Sequence, residues 1–399
     1  MIRLSQRRSQ SRSCLLAQRH SDGGAVVRAS TVTPMSDAGV WSFAERVVSL
    51  IDAGRASTTY KLATLLALLD VAAESTTPAE GAPGRLSGRR VGQRVVELYW
   101  PQTAVYGLDA AGSPAVLRQS PQNDIPAKLA RWRQKHVLTS GSSIDDARRA
   151  DPTGWTQLER DLVTTVLRMP VPKLQRFGSG RHVHEDRFIF DFDWPDEAPA
   201  SVFAREAFDD SLVLRPGVGE WLVKLTPVIR PFAQHRWVDL IARQNPGLVD
   251  DRRLDEFLFG ASRISLDRIR DALRDQQAGR CFYCGDPTPR PDVDHFLPWS
   301  RHPDNTVDNL VAACHRCNNA KSASLAGVDH LRVWLRRAGN GEELDAVAAR
   351  TGFSRRPART LGIVAATYLW LPDRTPLWLR GGEYELVEGV EVERLLTGG

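Results

Sequence analysis

Residues 281–321 contain the stretch that decides the fold, CFYCGDPTPRPDVDHFLPWSRHPDNTVDNLVAACHRCNNAK. Two C-x-x-C pairs near its ends supply four cysteines: Cys281, Cys284, Cys314 and Cys317. A tetrahedral zinc ion takes four thiolates, and each pair can supply two of them from one tight turn. In a reducing compartment this spacing indicates a metal site and not disulfides. We therefore predict a structural zinc ion, because a closed thiolate set leaves no position for a substrate. The alternative is that the cysteines are ordinary buried core residues.

Polar residues of a different kind lie between and after the cysteine pairs. Hydrolysis of a phosphodiester needs an activated water molecule and stabilisation of the charge that develops at the phosphate. His295 can accept a proton near neutral pH, since the ordinary pKa of histidine is about 6.5. A hard divalent ion prefers oxygen ligands, and both Asp294 and Asn318 offer one. The stretch therefore carries both a proton acceptor and oxygen ligands for a divalent ion, the groups that such a reaction requires.

Taken together, these residues resemble the HNH (ββα-metal) endonuclease family in its four-cysteine form. The resemblance covers residues 280–325 and implies a β-hairpin and a helix that are pinned by the two cysteine pairs. It implies that His295 is the general base and that Asp294 and Asn318 bind a catalytic Mg²⁺ or Mn²⁺ ion. It also implies that Asn309 ties the intervening loop to backbone and holds His295 in place. The last motif position is Asn318 where the family name has histidine, and this departure bears on metal preference.

Several neighbours of the motif are weaker candidates. Lys321 and Arg316 are possible phosphate contacts, but both are equally well explained as solvated helix charges. His302 and Arg301 lie on the segment between the motif halves, where they either reach DNA or belong to a plain loop. Asp292 is most simply a half-exposed strand residue.

The net charge gives no general support for nucleic-acid binding. The chain has 399 residues, of which 42% are hydrophobic and 25% charged, with a net charge of +5. Residues 1–34 hold six arginines and one acid, so this segment accounts for the whole excess and the remainder is neutral. The segment is Arg-rich and Ser-rich, and we expect a disordered basic tail or upstream sequence. No apolar run reaches the ~20 residues of a membrane span, and we expect a cytoplasmic protein without a membrane partner.

Apolar periodicity predicts a mostly helical chain. Helices are expected at 41–53, 58–73, 90–100, 124–136, 155–167, 220–244, 265–277, 328–337, 342–349 and 358–369. Prolines at 227 and 231 favour a break in the helix at 220–244. Alternating residues predict a strand over 187–194, and residues 376–387 predict a hairpin.

The predicted fold class is α+β and mostly helical, with a ββα-metal finger and its four-cysteine zinc site embedded between helical segments. Five regions follow from this: a tail (1–34), an N-terminal helical and mixed domain with possible target recognition (35–200), a helical connector (201–279), the finger (280–326), and a C-terminal helical segment with a hairpin (327–399).

The function that these residues predict is a metal-dependent DNA endonuclease, with a possible role in bacterial defence or restriction. The alternative is a zinc-knuckle protein that binds nucleic acid without cutting it, and a third possibility is a purely structural protein. Asp294 and His295 discriminate among them, because a binding module needs neither a metal carboxylate nor a base. The sequence identifies no protein partner.

Overall fold

The computed structural model describes residues 37–52, 58–108, 111–119, 124–178, 182–195, 198–205, 207–247, 251–260 and 265–398. The predicted tail at 1–34 lies outside these residues. Among the described helices, none is both long and apolar enough to cross a membrane.

Ten of the described helices lie before residue 260. They are α1 (Asp37–Asp52), α2 (Tyr60–Glu74), α3 (Gly88–Tyr99), α4 (Asp124–Lys135), α5 (Ile144–Ala150), α6 (Pro152–Arg168), α7 (Pro170–Lys173), α8 (Ala200–Phe203), α9 (Val218–Gln244) and α10 (Asp251–Phe259). A 3₁₀ turn follows α3 at Pro101–Thr103. The centre of this part is α2, whose residues from Leu62 to Ala73 are all buried. A helix that is apolar on every face is stable only inside a core, and α2 packs against α3 and α9.

Short strands lie around these helices. They are β1 (Arg85–Ser87), β2 (Val105–Leu108), β3 (Pro114–Val116), β4 (Arg176–Phe177), β5 (His184–Glu185), β6 (Phe190–Asp191) and β7 (Ser211–Leu214). An antiparallel sheet forms in the order β1-β7-β6. The strand predicted over 187–194 is reduced to β6. Phe188, Ile189 and Phe190 are all buried, so the alternating pattern did not mark one buried face and one exposed face.

The predicted break in the helix at 220–244 is wrong, because α9 runs through both prolines. A proline inside a helix removes a hydrogen bond and costs about 3 kcal/mol. Buried Leu222, Ile229 and Trp237 anchor α9 in the first core. Their burial offsets the proline cost, and the sequence pattern alone does not show this burial.

The second half of the chain contains α11 (Asp267–Gln276), β8 (Asp292–His295), β9 (Leu310–Ala313), α12 (His315–Lys321), α13 (Val328–Gly339), α14 (Gly341–Thr351), α15 (Pro357–Tyr368), β10 (Pro376–Arg380), β11 (Glu383–Leu386) and α16 (Gly389–Thr397). The predicted hairpin at 376–387 is confirmed as β10 and β11. The finger lies between helices and shares a core with them, in which Phe296 stacks on Trp334 with 5.3 Å between ring centroids. The predicted α+β, mostly helical class is confirmed.

The helix α11 packs with Leu310 and Leu344 in a separate cluster. One core serves the described chain before α11. It takes residues from Phe43 to Leu258, and Ala366 of α15 joins it. Regions 35–200 and 201–279 both contribute to this core. The division between regions 35–200 and 201–279 therefore stays a prediction about their functions, since the two regions share one core.

A buried ion network joins the two halves. Asp70 of α2 is fully buried and accepts a hydrogen bond from Arg94 Nε at 2.7 Å and another from Arg230. Burial by itself raises the pKa of the Asp70 carboxyl, but Arg230 and Arg94 outweigh it and hold that pKa well below its ordinary range. Glu97 extends the network from Arg94 to Arg356, next to α15, at 2.9 and 2.8 Å. These ion pairs attach α15 to α2 and α3.

Asp70→Asn is expected to destabilise the protein strongly. The substitution leaves two buried guanidinium groups without their counter-charge, which costs about 3–5 kcal/mol when a buried pair is broken. The measurement is the shift of the urea unfolding midpoint of the full chain. Asp329→Asn is the matched control, because the side chain of Asp329 is 84% exposed in its ion pair with Arg332. Equal midpoints for the two variants would contradict the structural role of the network.

Candidate active site and metal centre

The four predicted cysteines converge on one point. The Sγ atoms of Cys281, Cys284, Cys314 and Cys317 all lie within 4.8 Å of one another. Zn–S bonds of ~2.3 Å in a tetrahedron separate the sulfurs by roughly 3.8 Å. The distance between the Sγ atoms of Cys284 and Cys314 is 3.9 Å. The donor set and its spacing therefore fit a single tetrahedral ion with no open position.

Local backbone geometry explains how each cysteine pair turns. Gly285 has a φ of +74°, a conformation that glycine adopts without strain, and its N–H donates to Cys281 O at 3.0 Å. The second pair begins α12, with Cys314 at the N-cap. Burial raises the pKa of Cys284 to about 11, so a bound cation is needed to favour its thiolate at neutral pH.

A β-hairpin lies between the two cysteine pairs, and a helix begins at the second pair. β8 and β9 pair antiparallel, with Asp294 opposite Val311 and His295 opposite Leu310. The helix α12 follows the second cysteine pair and contacts β8. This is the arrangement that the family resemblance implied for residues 280–325.

Asn309 holds the loop that follows His295. Its side chain accepts a hydrogen bond from Leu297 N at 2.8 Å and donates to Leu297 O and Asp304 O, both at 3.1 Å. Its backbone oxygen accepts from Phe296 N at 2.8 Å. Asn309 is fully buried, and these bonds are the loop-to-backbone contacts that we expected of it.

His295 is buried in a form that suits a base. Its Nε2 lies 2.7 Å from Asn305 Oδ1, and its ring packs edge-on against Trp299 at 5.4 Å. An amide oxygen only accepts hydrogen bonds, so in this assignment Nε2 carries the proton and the lone pair is on Nδ1. Burial lowers the pKa of His295 below its ordinary value, which keeps the imidazole neutral at pH 7.

Asp294 is held between the first cysteine turn and α12. Its Oδ2 accepts a hydrogen bond from the Tyr283 hydroxyl at 2.5 Å and pairs with Lys321 Nζ at 3.0 Å. Lys321 also donates to His295 O at 2.8 Å. The predicted phosphate contact of Lys321 is therefore corrected. Its side chain is fully buried and links β8 to α12, so it has no surface to offer a phosphate.

Asn318 faces Asp292. Its Nδ2 donates to Asp292 Oδ2 at 3.1 Å, and His315 Nδ1 lies 2.9 Å from the same oxygen. The family resemblance implies that Asp294 and Asn318 bind one ion and that His295 is the base beside it. The contacts described above give each of them a different partner. Alternation along β8 places Asp292 and Asp294 on one face and His295 on the other.

Sequence reasoning underrated Asp292 and missed Tyr283 and Asn305. Asp292 could have been found from its spacing of two from Asp294 in a strand, which puts both carboxylates on one face. Nothing in the pattern marked Tyr283 or Asn305, since their partners depend on how the loop folds back. Arg316 is 77% exposed beside Asp286 and keeps its place as a candidate phosphate contact. His302 is buried 3.5 Å from Asp70 Oδ1, so it belongs to the ion network and not to a DNA-binding loop.

Comparison with known proteins supports the identity of the finger. Residues 281–324 match the family model described as HNH endonuclease. The chain is also 41% identical over 63 residues to a CRISPR-associated endonuclease Cas9 from Corynebacterium diphtheriae. That match covers 15% of this chain and 6% of the relative. No solved structure gave a significant match.

The similarity to Cas9 is thus confined to a small part of both proteins. The residues that match the family model contain the hairpin, the helix and the four cysteines described above. The chain carries an HNH endonuclease domain at residues 281–324.

Proposed function

We propose that the protein is a metal-dependent DNA endonuclease, with His295 as general base. The observation that supports this most directly is a matched HNH domain in which a buried imidazole with a lowered pKa lies on the same strand as two carboxylates. The Cas9 relative is named an endonuclease, and we extend nucleic acid as substrate from it to this chain. A role in bacterial defence or restriction is part of the proposal.

Oxygen donors for a divalent ion lie on β8 and α12. We propose Asp294 and Asn318 as ligands, and the contact with Asn318 adds Asp292 to this set. Rotation of the Asn318 amide presents Oδ1 in place of Nδ2, and the orientation of an amide is fixed only by its partners. Such donors suit Mg²⁺ or Mn²⁺, which when bound stabilises charge on the phosphate.

The residues of the chain supply the remaining chemistry. Nδ1 of His295 accepts a proton from the attacking water, while Asn305 fixes the tautomer through Nε2. Asn309 holds the loop on which Asn305 lies. Arg316 is positioned to contact a phosphate at the surface.

Target recognition is assigned to residues 35–200, since a small finger that grips phosphates reads little sequence. The helix α4 is the proposed basic surface, with exposed Arg131 and Lys135. Arg133 of the same helix does not contribute to this surface, because it is buried with its guanidinium 4.1 Å from the Trp100 ring.

His295→Ala should abolish cleavage of plasmid DNA. General base catalysis contributes about 10²–10⁴-fold, and a loss of at least 10² is expected. The assay compares Mg²⁺, Mn²⁺ and EDTA, and EDTA should stop the wild-type reaction. His184→Ala is the control, because it removes an exposed histidine of β5 outside the finger. Cleavage that persists in the His295 variant places the active site elsewhere.

Substitution of the two carboxylates of β8, Asp292 and Asp294, should have different effects on cleavage and on the melting temperature. Asp292→Asn is expected to raise the Mg²⁺ concentration needed for half-maximal cleavage and to leave the melting temperature unchanged, because Asp292 is half-exposed. Asp294→Asn should reduce cleavage and also lower the melting temperature, because it leaves the buried ammonium of Lys321 unpaired. Identical profiles for both variants would contradict this division of roles.

The thiolate cluster is proposed to hold one structural zinc ion. Cys284→Ser should lose that zinc and unfold more readily, because binding of a structural metal contributes directly to folding. Zinc content per chain is measured by atomic emission after dialysis, together with the melting temperature. Cys14→Ser is the control, since Cys14 lies outside the cysteine pairs. Retention of both zinc and stability in the Cys284 variant argues against the site.

A further inference from the structure

A cavity of about 190 Å³ lies between the finger and the helical part of the chain. Its lining comes from α3, α5, α9, the loop after β8 and the segment before α15. The rim carries exposed Ser140 and Arg268, and the floor carries buried Arg94 and Arg230. We name it the Arg230 cavity.

The Arg230 cavity adjoins the proposed base. Asn305, which contacts His295 Nε2 at 2.7 Å, is part of its wall. Trp299, whose ring lies 5.4 Å from the His295 ring, is also part of that wall. A molecule in the cavity is therefore separated from His295 only by the side chain of Asn305 or Trp299.

Aromatic side chains form much of the wall. Trp100, Trp299, Phe259 and Phe353 all line it. Trp100 Nε1 donates to Ser142 O and Trp299 Nε1 donates to Phe259 O, both at 2.9 Å. These bonds fix the two indole rings, which contribute apolar surface that a planar ligand can contact.

The floor offers hydrogen-bond donors that lack acceptors. Arg230 is 3% exposed, and one of its nitrogens, Nη2, binds Asp70. Within the described part of the chain, its Nε and Nη1 have no hydrogen-bond partner. A buried donor without an acceptor is costly, so the site favours a ligand that brings lone pairs.

The charge around the cavity is nearly balanced. Arg94 pairs with Asp70 and Glu97, and Arg356 also pairs with Glu97. Arg230 pairs with Asp70 and Arg359 pairs with Glu74. Of the five lining arginines only Arg268 is exposed, and it lies 3.9 Å from Asp146. The site therefore lacks the excess positive charge that a phosphate requires. A neutral ring with acceptor atoms fits the aromatic wall and the free donors together.

We propose that the Arg230 cavity binds a nucleobase, with the Arg230 guanidinium donating to a carbonyl oxygen or ring nitrogen. The base comes either from an unpaired position of bound DNA or from a free nucleotide. The first source rests on the proposed function, and enzymes that extrude a base read it by stacking and by hydrogen bonds to its edge. Its place beside His295 makes the cavity a determinant of where the strand is cut.

The test uses the full, zinc-loaded chain carrying His295→Ala, without added Mg²⁺, so that the DNA is not cleaved during binding. Three probes are titrated: a duplex with one bulged 2-aminopurine, the same duplex fully paired, and free 2-aminopurine nucleoside. Binding of the bulged duplex should be tighter than that of the paired duplex by about tenfold or more. Binding is followed by the fluorescence of 2-aminopurine for the bulged duplex and the nucleoside, and by competition for the paired duplex.

Leu98→Trp fills the cavity from its half-buried wall position on α3 and should remove the preference. Leu158→Trp is the matched control, because Leu158 is a half-buried leucine of α6 outside the cavity lining. Arg230→Lys keeps a cation beside Asp70 but deletes the free guanidinium donors. It serves as the second variant if melting curves show that Leu98→Trp is unfolded.

The two sources give different results. A duplex preference that is lost in Leu98→Trp assigns the base to the DNA strand, and nucleoside binding lost in the same variant assigns it to a free nucleotide. Equal binding of the two duplexes without nucleoside binding overturns the proposal. A preference that folded Leu98→Trp retains, or that Arg230→Lys retains where it takes its place, overturns it as well. A protein that binds the base but never cuts DNA overturns the proposed function alone.

Discussion

The arrangement of the site depends on the convergence of four cysteine sulfurs within 4.8 Å. One cysteine pair precedes β8 and the other opens α12, so the proposed zinc ion would fix the strand and the helix relative to each other. A finger of this size has little core of its own, and its apolar residues pack on α13, α15 and the C-terminal hairpin. The thiolates and this borrowed core together position His295.

A second constraint acts inside the finger. The buried Lys321 ammonium binds both the Asp294 carboxylate and the His295 carbonyl. Burial lowers the pKa of Lys321 and Asp294 partly restores it, so each charge depends on the other. The ion network around Asp70 also contacts the finger, because His302 lies 3.5 Å from Asp70 Oδ1. Burial lowers the pKa of His302 to about 3, so a neutral imidazole packed among buried charges attaches the loop after β8 to the helical part of the chain.

The local parts of this arrangement could be predicted from sequence, because they depend on spacing. The cysteine pairs predict the cluster, and the apolar periods predict α13, α14, α15 and the last hairpin. Contacts that arise from folding could not be predicted. The sequence predicts that Lys321 is a surface charge, whereas the packing of α12 on β8 buries its side chain. The prolines of α9 predict a break in the helix from sequence alone. The helix continues because burial of their neighbours offsets the cost of the prolines. Asn318 was paired with Asp294 on family resemblance, whereas the structure places it beside Asp292.

The central claim is that the thiolate-bound ion holds the finger in the form that lets His295 act. The most direct test compares DNA cleavage by the zinc-loaded protein, by protein stripped of zinc, and by stripped protein after zinc is restored, all in saturating Mg²⁺. The account predicts that Mg²⁺ alone does not rescue the stripped protein and that one equivalent of zinc does. Full cleavage by the zinc-free protein would contradict it.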